Sequence, residues 1–369
     1  MTEQLNEPQL HELAFYGMAG AARDPKALLN DVRDAERIGL GSVFLSERFN
    51  VKEAVTLCGA VGAATTTLGI ATGVTNHNTR HPIVTASFAT TMDKLTDGRF
   101  ALGLGRGIAP LMKAFGLGSI TTAQLEDFAG LMRNLWQNEM VFGHNGPAGN
   151  YPFLRVDWGG EGRTIPLLFT AFGPHSLDLG GRVFDGVILH TFFTDETLAR
   201  CVATIRAGAE KAGRDPDSVR IWSCLATVGD HIPYELRLKK TVGRMATYLQ
   251  AYGDLMVETN RWDPALLQKF RAADAVTSIP GAIDDIASTE QLERVAEVIP
   301  AEWLAAAATG TPDQCVDVVN RQFDLGATGV ILHGATPAEL EPIVGAYRAR
   351  RPAEQFAHLP ANPGRCAGR

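Results

Sequence analysis

Eight short apolar runs alternate strictly with longer helix-like stretches along this chain. The runs cover residues 13–18, 42–46, 68–74, 100–104, 166–170, 186–190, 219–228 and 329–333. Between them the apolar spacing becomes helical: Leu28, Leu29, Val32, Ala35 and Ile38 follow Pro25, and residues 198–212 stop at Gly213. Repeated strand–helix alternation is the signature of βα units and a parallel sheet. Eight such units in a chain of 369 residues favour a closed (β/α)8 TIM barrel over an open doubly wound sheet.

Two stretches break the rhythm and are read as insertions after the fourth and seventh strands. Residues 138–163 are rich in Gly, Pro and Asn with interleaved aromatics, which suits a small hairpin. Residues 232–302 are mostly helical by pattern, with Pro264 and Pro280-Gly281 as breaks. The expectation is one α/β barrel domain over residues 1–350 and a partly disordered tail over 351–369. The arginines near the C-terminus (Arg348, Arg350, Arg351, Arg365, Arg369) are read as part of that solvated tail.

Composition narrows the function classes. A net charge of -7 with 20% charged residues offers no surface for a polyanion, so no nucleic-acid partner is expected. Five cysteines without a C-x-x-C pair argue against a disulfide framework and a zinc site, and suit a reducing cytoplasm. The polar, acidic first ten residues do not resemble a signal peptide, and no run of about 18 apolar residues calls for a membrane.

In a barrel, chemistry sits at the C-terminal ends of the strands. The second strand ends in Ser46-Glu47-Arg48-Phe49, the third in Gly73-Val74-Thr75-Asn76-His77 and the fourth in Gly103-Leu104-Gly105-Arg106-Gly107. The fifth ends in Ala171-Phe172-Gly173-Pro174-His175-Ser176 and the sixth in His190-Thr191. The glycine stretch after the fourth strand is G-x-G-x-G rather than G-x-G-x-x-G, and it follows the wrong strand for a Rossmann fingerprint. Gly173-Pro174 opens a helix whose first N–H groups make a ready anion site, although an ordinary capped helix start reads the same way. His77, His81, His175, His190 and His333 lack metal-ligand spacing, so no metal is expected; His81 before Pro82 reads as a helix cap. Trp136 and Trp222 fall in core-like patterns.

Several of these segments together resemble the luciferase-like superfamily of flavin and deazaflavin oxidoreductases. The most specific is Thr72-Gly73-Val74-Thr75-Asn76-His77-Asn78-Thr79-Arg80-His81-Pro82, similar to the third-strand motif of methylenetetrahydromethanopterin reductases. Gly98 to Gly105, Ala171 to Pro174 with Leu177, Asp185 to Ile188 and Gly310-Thr311-Pro312 add to the likeness, which covers nearly the whole barrel.

The resemblance implies the deazaflavin coenzyme F420, with FMN as the alternative. Its ring would be backed by a cis bulge at Gly73-Val74 with Thr75 and Asn76 beside it. Its phosphate would lie near Gly173, Pro174, His175 and Ser176, helped by Gly105, Arg106 and Gly107, with Ala171 and His190 as further contacts. The implied reaction is hydride transfer to or from a small organic substrate; an FMN-dependent monooxygenase and a coenzyme-binding protein without turnover are the competing readings.

The resemblance also places an acid at Glu47 as the proton-handling or substrate-orienting carboxylate. Arg48 is its expected charge partner or an anion clamp, and a plain ion pair between Glu47 and some basic neighbour is the structural alternative. His77, His175 and His190 are the next candidates for proton transfer. Family members that oxidise sugar phosphates carry His after this acid and a second acid after the fourth-strand glycines. Here Arg48 and Ile108 stand instead, which argues against that substrate class. A homodimer is expected, with the small apolar residues of 55–64 as one candidate for close helix packing.

Overall fold

The computed structural model describes residues 9–20, 22–49 and 51–366. Its strands are β1 (Leu10–Tyr16), β2 (Leu40–Leu45), β3 (Gly69–Thr72), β4 (Phe100–Leu104), β5 (Val141–Gly146), β6 (Gly149–Leu154), β7 (Leu167–Thr170), β8 (Gly186–Ile188), β9 (Arg220–Gly229), β10 (Ala308–Gly310) and β11 (Gly329–His333). Hydrogen bonding runs in the order β9-β11-β1-β2-β3-β4-β7-β8, and β8 pairs back onto β9, which closes an eight-stranded barrel. Registers such as Leu13 with Val330 and Ile70 with Phe100 are parallel. All eight expected strands are in this ring; β10 is an addition that pairs with β9.

Strands covered on both faces need apolar residues throughout. Every residue of β2, β4, β9 and β11 is buried accordingly. Helix starts follow local chemistry. Asp24 caps the helix Pro25–Arg37, Thr121 and Gln124 form a capping box for Thr122–Trp136, and Thr311 and Gln314 do the same for Pro312–Asp324. His81 is the N-cap of Pro82–Leu95, as its place before Pro82 predicts.

The chain divides into two compact units. One comprises the described residues of Met1–Leu40, Leu189–Ala203 and Ile221–Ala357. Its insertion carries a series of helices, among them Arg244–Asn260, which is interrupted at Tyr252. Trp222 is fully buried here. Of the C-terminal arginines, Arg348 and Arg351 correct the solvated reading, Arg350 is exposed and Arg369 lies outside the described residues: Arg351 reaches back to the fully buried Glu12, which Tyr347 also contacts, and Arg348 donates to the Ile38 carbonyl at 2.9 Å. A buried carboxylate demands a charged partner, and that requirement draws the arginine inward.

The other unit comprises the described residues of Gly41–Ile188, Thr204–Arg220 and His358–Arg369. The first insertion contains the antiparallel hairpin β5–β6, with Phe142 opposite Phe153. The small residues of the helix Ala54–Ala64 serve close packing inside the unit at Gly62, where a Cβ would stand 3.0 Å from Thr96 and 3.3 Å from Met92. Residues 358–366 are tied down through Asn362. Its amide donates to the carbonyls of Gly98 at 2.7 Å and Phe100 at 2.8 Å, and its Oδ1 accepts from the Gly364 amide at 2.9 Å. Asn362→Ala leaves these backbone groups unmatched, with an expected loss of about 1–3 kcal/mol in urea unfolding. An unchanged midpoint would show that the segment contributes nothing to the fold.

Candidate functional site

The turn after β3 is shaped by three glycines. A Cβ on Gly103 would lie 2.0 Å from the Thr72 carbonyl oxygen, one on Gly105 2.4 Å from Val74 Cγ2, and one on Gly73 2.9 Å from Phe44 Cβ. Bare backbone at these places lets residues 73–75 settle onto β2 and β4. The Gly73-Val74 peptide is cis, as the resemblance implies. Gly73 donates to Leu45 at 2.7 Å, Glu47 to the Val74 carbonyl at 2.8 Å, Thr75 to Gly103 at 2.9 Å and Gly105 to Thr75 at 2.9 Å. The Thr72 hydroxyl bridges the N–H and C=O of Gly103 at 2.8 Å each, and Asn76 Nδ2 donates to the Gly105 carbonyl at 2.8 Å.

Glu47 lies under this turn with its side chain only 1% exposed. Oε1 accepts from the Ala54 amide at 3.0 Å; Oε2 accepts from the Thr75 hydroxyl at 3.0 Å and from Arg80 at 2.8 Å. Arg80 also donates to the Thr75 hydroxyl at 2.8 Å and pairs with Glu53. Burial works against the charge on Glu53, but the Thr56 amide and Arg80 outweigh it and hold this carboxyl below its ordinary range. The charge partner of Glu47 is therefore Arg80, where the sequence pointed to Arg48. Arg80 lies inside the motif quoted above, five residues beyond Thr75. Arg48 makes backbone hydrogen bonds with Lys52.

His77 is buried, with its ring 5.2 Å from Phe128, and its Nδ1 has no hydrogen-bond partner. Burial lowers its pKa and keeps the imidazole neutral. Arg106 donates to the Ile120 carbonyl and, at 2.9 Å, to the Thr122 hydroxyl; its guanidinium lies 5.9 Å from the Phe169 ring. These bonds fasten the loop after β4 to the start of the next long helix. Gly107, at φ +72°, sits against Met112. Ile108 is 38% exposed.

Ala171 is buried at the end of β7. The helix Pro174–Val183 begins at Gly173 without a side-chain cap, and a Cβ on Gly173 would meet nothing within 4 Å. Pro174 and His175 are exposed and Ser176 is half-buried. The start of this helix is thus accessible at its positive end, a favourable place for an anion.

Of the expected site residues, Glu47, Gly73, Val74, Thr75, Asn76 and Gly105 are brought together with Arg80. His190 lies in the other unit, half-buried in a group of aromatic rings with Tyr248 and Tyr252. Sequence reasoning passed over both tyrosines, because no spacing links the insertion to the strand ends.

The chain is 25% identical over 303 residues to a 5,10-methylenetetrahydromethanopterin reductase of Methanolobus tindarius, covering 80% of this chain and 86% of the relative. It is 26% identical over 333 residues to an F420-dependent glucose-6-phosphate dehydrogenase of Nakamurella multipartita, covering 84% and 86%. The coenzyme F420 dependent tetrahydromethanopterin reductase of Methanopyrus kandleri shares the fold, with a TM-score of 0.73 at 16% identity over 92% of this chain and 99% of the other. The model of the luciferase-like monooxygenase family matches residues 11–329, and with the closed barrel and the turn after β3 in place the chain belongs to that family.

Proposed function

We propose that this protein is an F420-dependent oxidoreductase that moves a hydride between the deazaflavin and a small organic substrate. The observation that carries the reading is the uncapped, exposed start of the helix at Gly173, which suits the coenzyme's phosphate. The unpartnered Nδ1 of His77 is a second point of fit, since a buried ring nitrogen is costly unless something meets it. The likeness to a relative named as an F420-dependent dehydrogenase favours the deazaflavin over FMN.

When bound, the deazaflavin supplies two-electron hydride chemistry at a ring carbon. The protein's part is to bind and orient. The amides of Gly173, His175 and Ser176 offer N–H donors to the phosphate, and Pro174 fixes the first turn between them. Gly73 and Val74 back the ring, flanked by Thr75 and Asn76. Glu47 acts by position: with both oxygens engaged it holds Thr75 and the helix start in register, while His77 is the neutral group suited to a hydrogen bond.

Fluorescence titration of the purified chain with F420 and with FMN tests this. F420 is expected to bind at least about tenfold more tightly. Tighter binding of FMN would overturn the proposal in favour of the monooxygenase reading.

A further inference from the structure

The hairpin β5–β6 leaves two aromatic rings in water. Phe142 is 69% exposed and Phe153 50%, their ring centroids are 5.0 Å apart, and Met140, just ahead of β5, is 55% exposed. Apolar surface gathered in this way is costly to hydrate and marks a place of contact.

The same hairpin borders an open groove of about 540 Å³. The helix Thr122–Trp136 contributes Ala123, Gly130 and Leu131 to its lining at helical spacing, and β5 contributes Val141 and His144. A Cβ on Gly130 would meet nothing within 4 Å, so the helix is bare at that point. Phe142 lies in sequence between the two groove residues of β5, and Gly143 separates it from His144. Gly143 stands opposite Pro152 with φ +58°, a backbone state that glycine takes without strain. On one side of this break His144 is half-buried and bonds Asp127 at 3.0 Å; on the other Phe142 meets solvent.

Two carboxylates also line the groove, and each already has donors from the same unit. Glu126 pairs with Arg182 at 3.1 Å, and Asp127 accepts from His144 and from the Ala148 amide at 2.8 Å. An apolar occupant therefore suits the groove better than a cation, and two such faces can meet without bare like charges opposed.

We propose that this face pairs with the same face of a second copy of the chain, with Phe142 and Phe153 of each entering the groove of the other. Projection and groove lie next to each other, so a two-fold axis between the copies fills both grooves at once and leaves no open end. The three exposed side chains offer roughly 300 Å² from each copy. A stable pairing takes about 800 Å² from each, so the groove walls must enter the contact as well.

Sedimentation velocity on the full chain, from about 1 to 100 μM, tests this. The parent is expected to form a species of twice the chain mass. Replacing both rings, Phe142→Ser with Phe153→Ser, removes the projection and should weaken pairing at least about 30-fold. Gly130→Leu fills the groove from a position with open space around it, and should weaken pairing as much. A mixture of these two proteins should recover pairing, because one intact projection still meets one intact groove. Val84→Ser, at a 51% exposed site on the helix Pro82–Leu95, should change nothing. A parent that stays monomeric, a dimer that survives both kinds of variant, an equal loss with Val84→Ser, or no recovery in the mixture would each overturn the proposal. Pairing through the helix Ala54–Ala64 would give the second of these outcomes.

Discussion

Replacing Arg80 with methionine is expected to destabilise the protein by about 3–5 kcal/mol, because it strands the Glu47 carboxylate in the interior. The guanidinium is 15% exposed and its partner 1%, so water can do little to replace the lost charge. What remains for Glu47 is one amide and one hydroxyl, at Ala54 and Thr75. The Glu53 arm of the network adds little, since that carboxylate is 42% exposed and can be solvated. Combining Glu47→Gln with Arg80→Met removes the stranded charge, so the double variant should be more stable than Arg80→Met alone. Guanidinium unfolding of the parent, both single variants and the double gives the coupling directly. A single Arg80→Met variant within about 0.5 kcal/mol of the parent would mean that the pair is a spectator.

The second large effect is expected at Gly103. A methyl group there would stand 2.0 Å from the Thr72 carbonyl oxygen and 3.2 Å from Val74 Cγ1. The first of these is backbone and cannot swing aside as a side chain can, so the end of β3 must shift. The Thr72 hydroxyl, which bridges both backbone groups of Gly103, shifts with it. Gly103→Ala should therefore cost about 1–3 kcal/mol and, on the proposed function, weaken F420 binding, since the displaced residues are those proposed to back the ring. Gly59→Ala is the control. It lies within the helix Ala54–Ala64 with nothing within 4 Å of its Cβ, and should be neutral or stabilise by about 0.5–1 kcal/mol. Indistinguishable stability and coenzyme affinity for Gly103→Ala and the parent would refute the packing argument.

The two arguments share a physical basis. At the end of β3 the backbone is pressed between neighbouring strands by glycines, and beneath it a buried carboxylate is neutralised by an arginine from the following turn. Neither part works alone: the glycines allow the close approach, and the Glu47–Arg80 pair holds Thr75 there. The resemblance pointed to a catalytic Glu47 with Arg48 at its side. The geometry gives Glu47 three donors, the Ala54 amide, the Thr75 hydroxyl and the Arg80 guanidinium, with Arg80 and not Arg48 as its charge partner.

Much of the fold was legible because it depends on local rules. Strand positions followed from apolar runs between turn residues, and one helix start from His81, whose ring accepts from the Ile83 amide two residues ahead. The turn at Gly73-Val74 was expected from the resemblance alone, carried by a motif of eleven residues. Arg80 belonged to that motif, yet nothing in its spacing said which acid it would meet. That was decided when β2 and β3 came side by side and placed Glu47 against Thr75.

Long-range pairings left no trace of this kind. Asn362 reaches Phe100 across 262 positions, Arg351 reaches Glu12 across 339, and Tyr252 reaches His190 across 62. Each joins groups that must be satisfied once buried, but burial itself depends on how the barrel closes. Pattern along the chain therefore determined the strands of the barrel and the helix start at His81, through interactions a few residues long. Closure of the sheet chose the partners of the buried charges and the membership of the aromatic group, because only folding sets which distant side chains share a space without water.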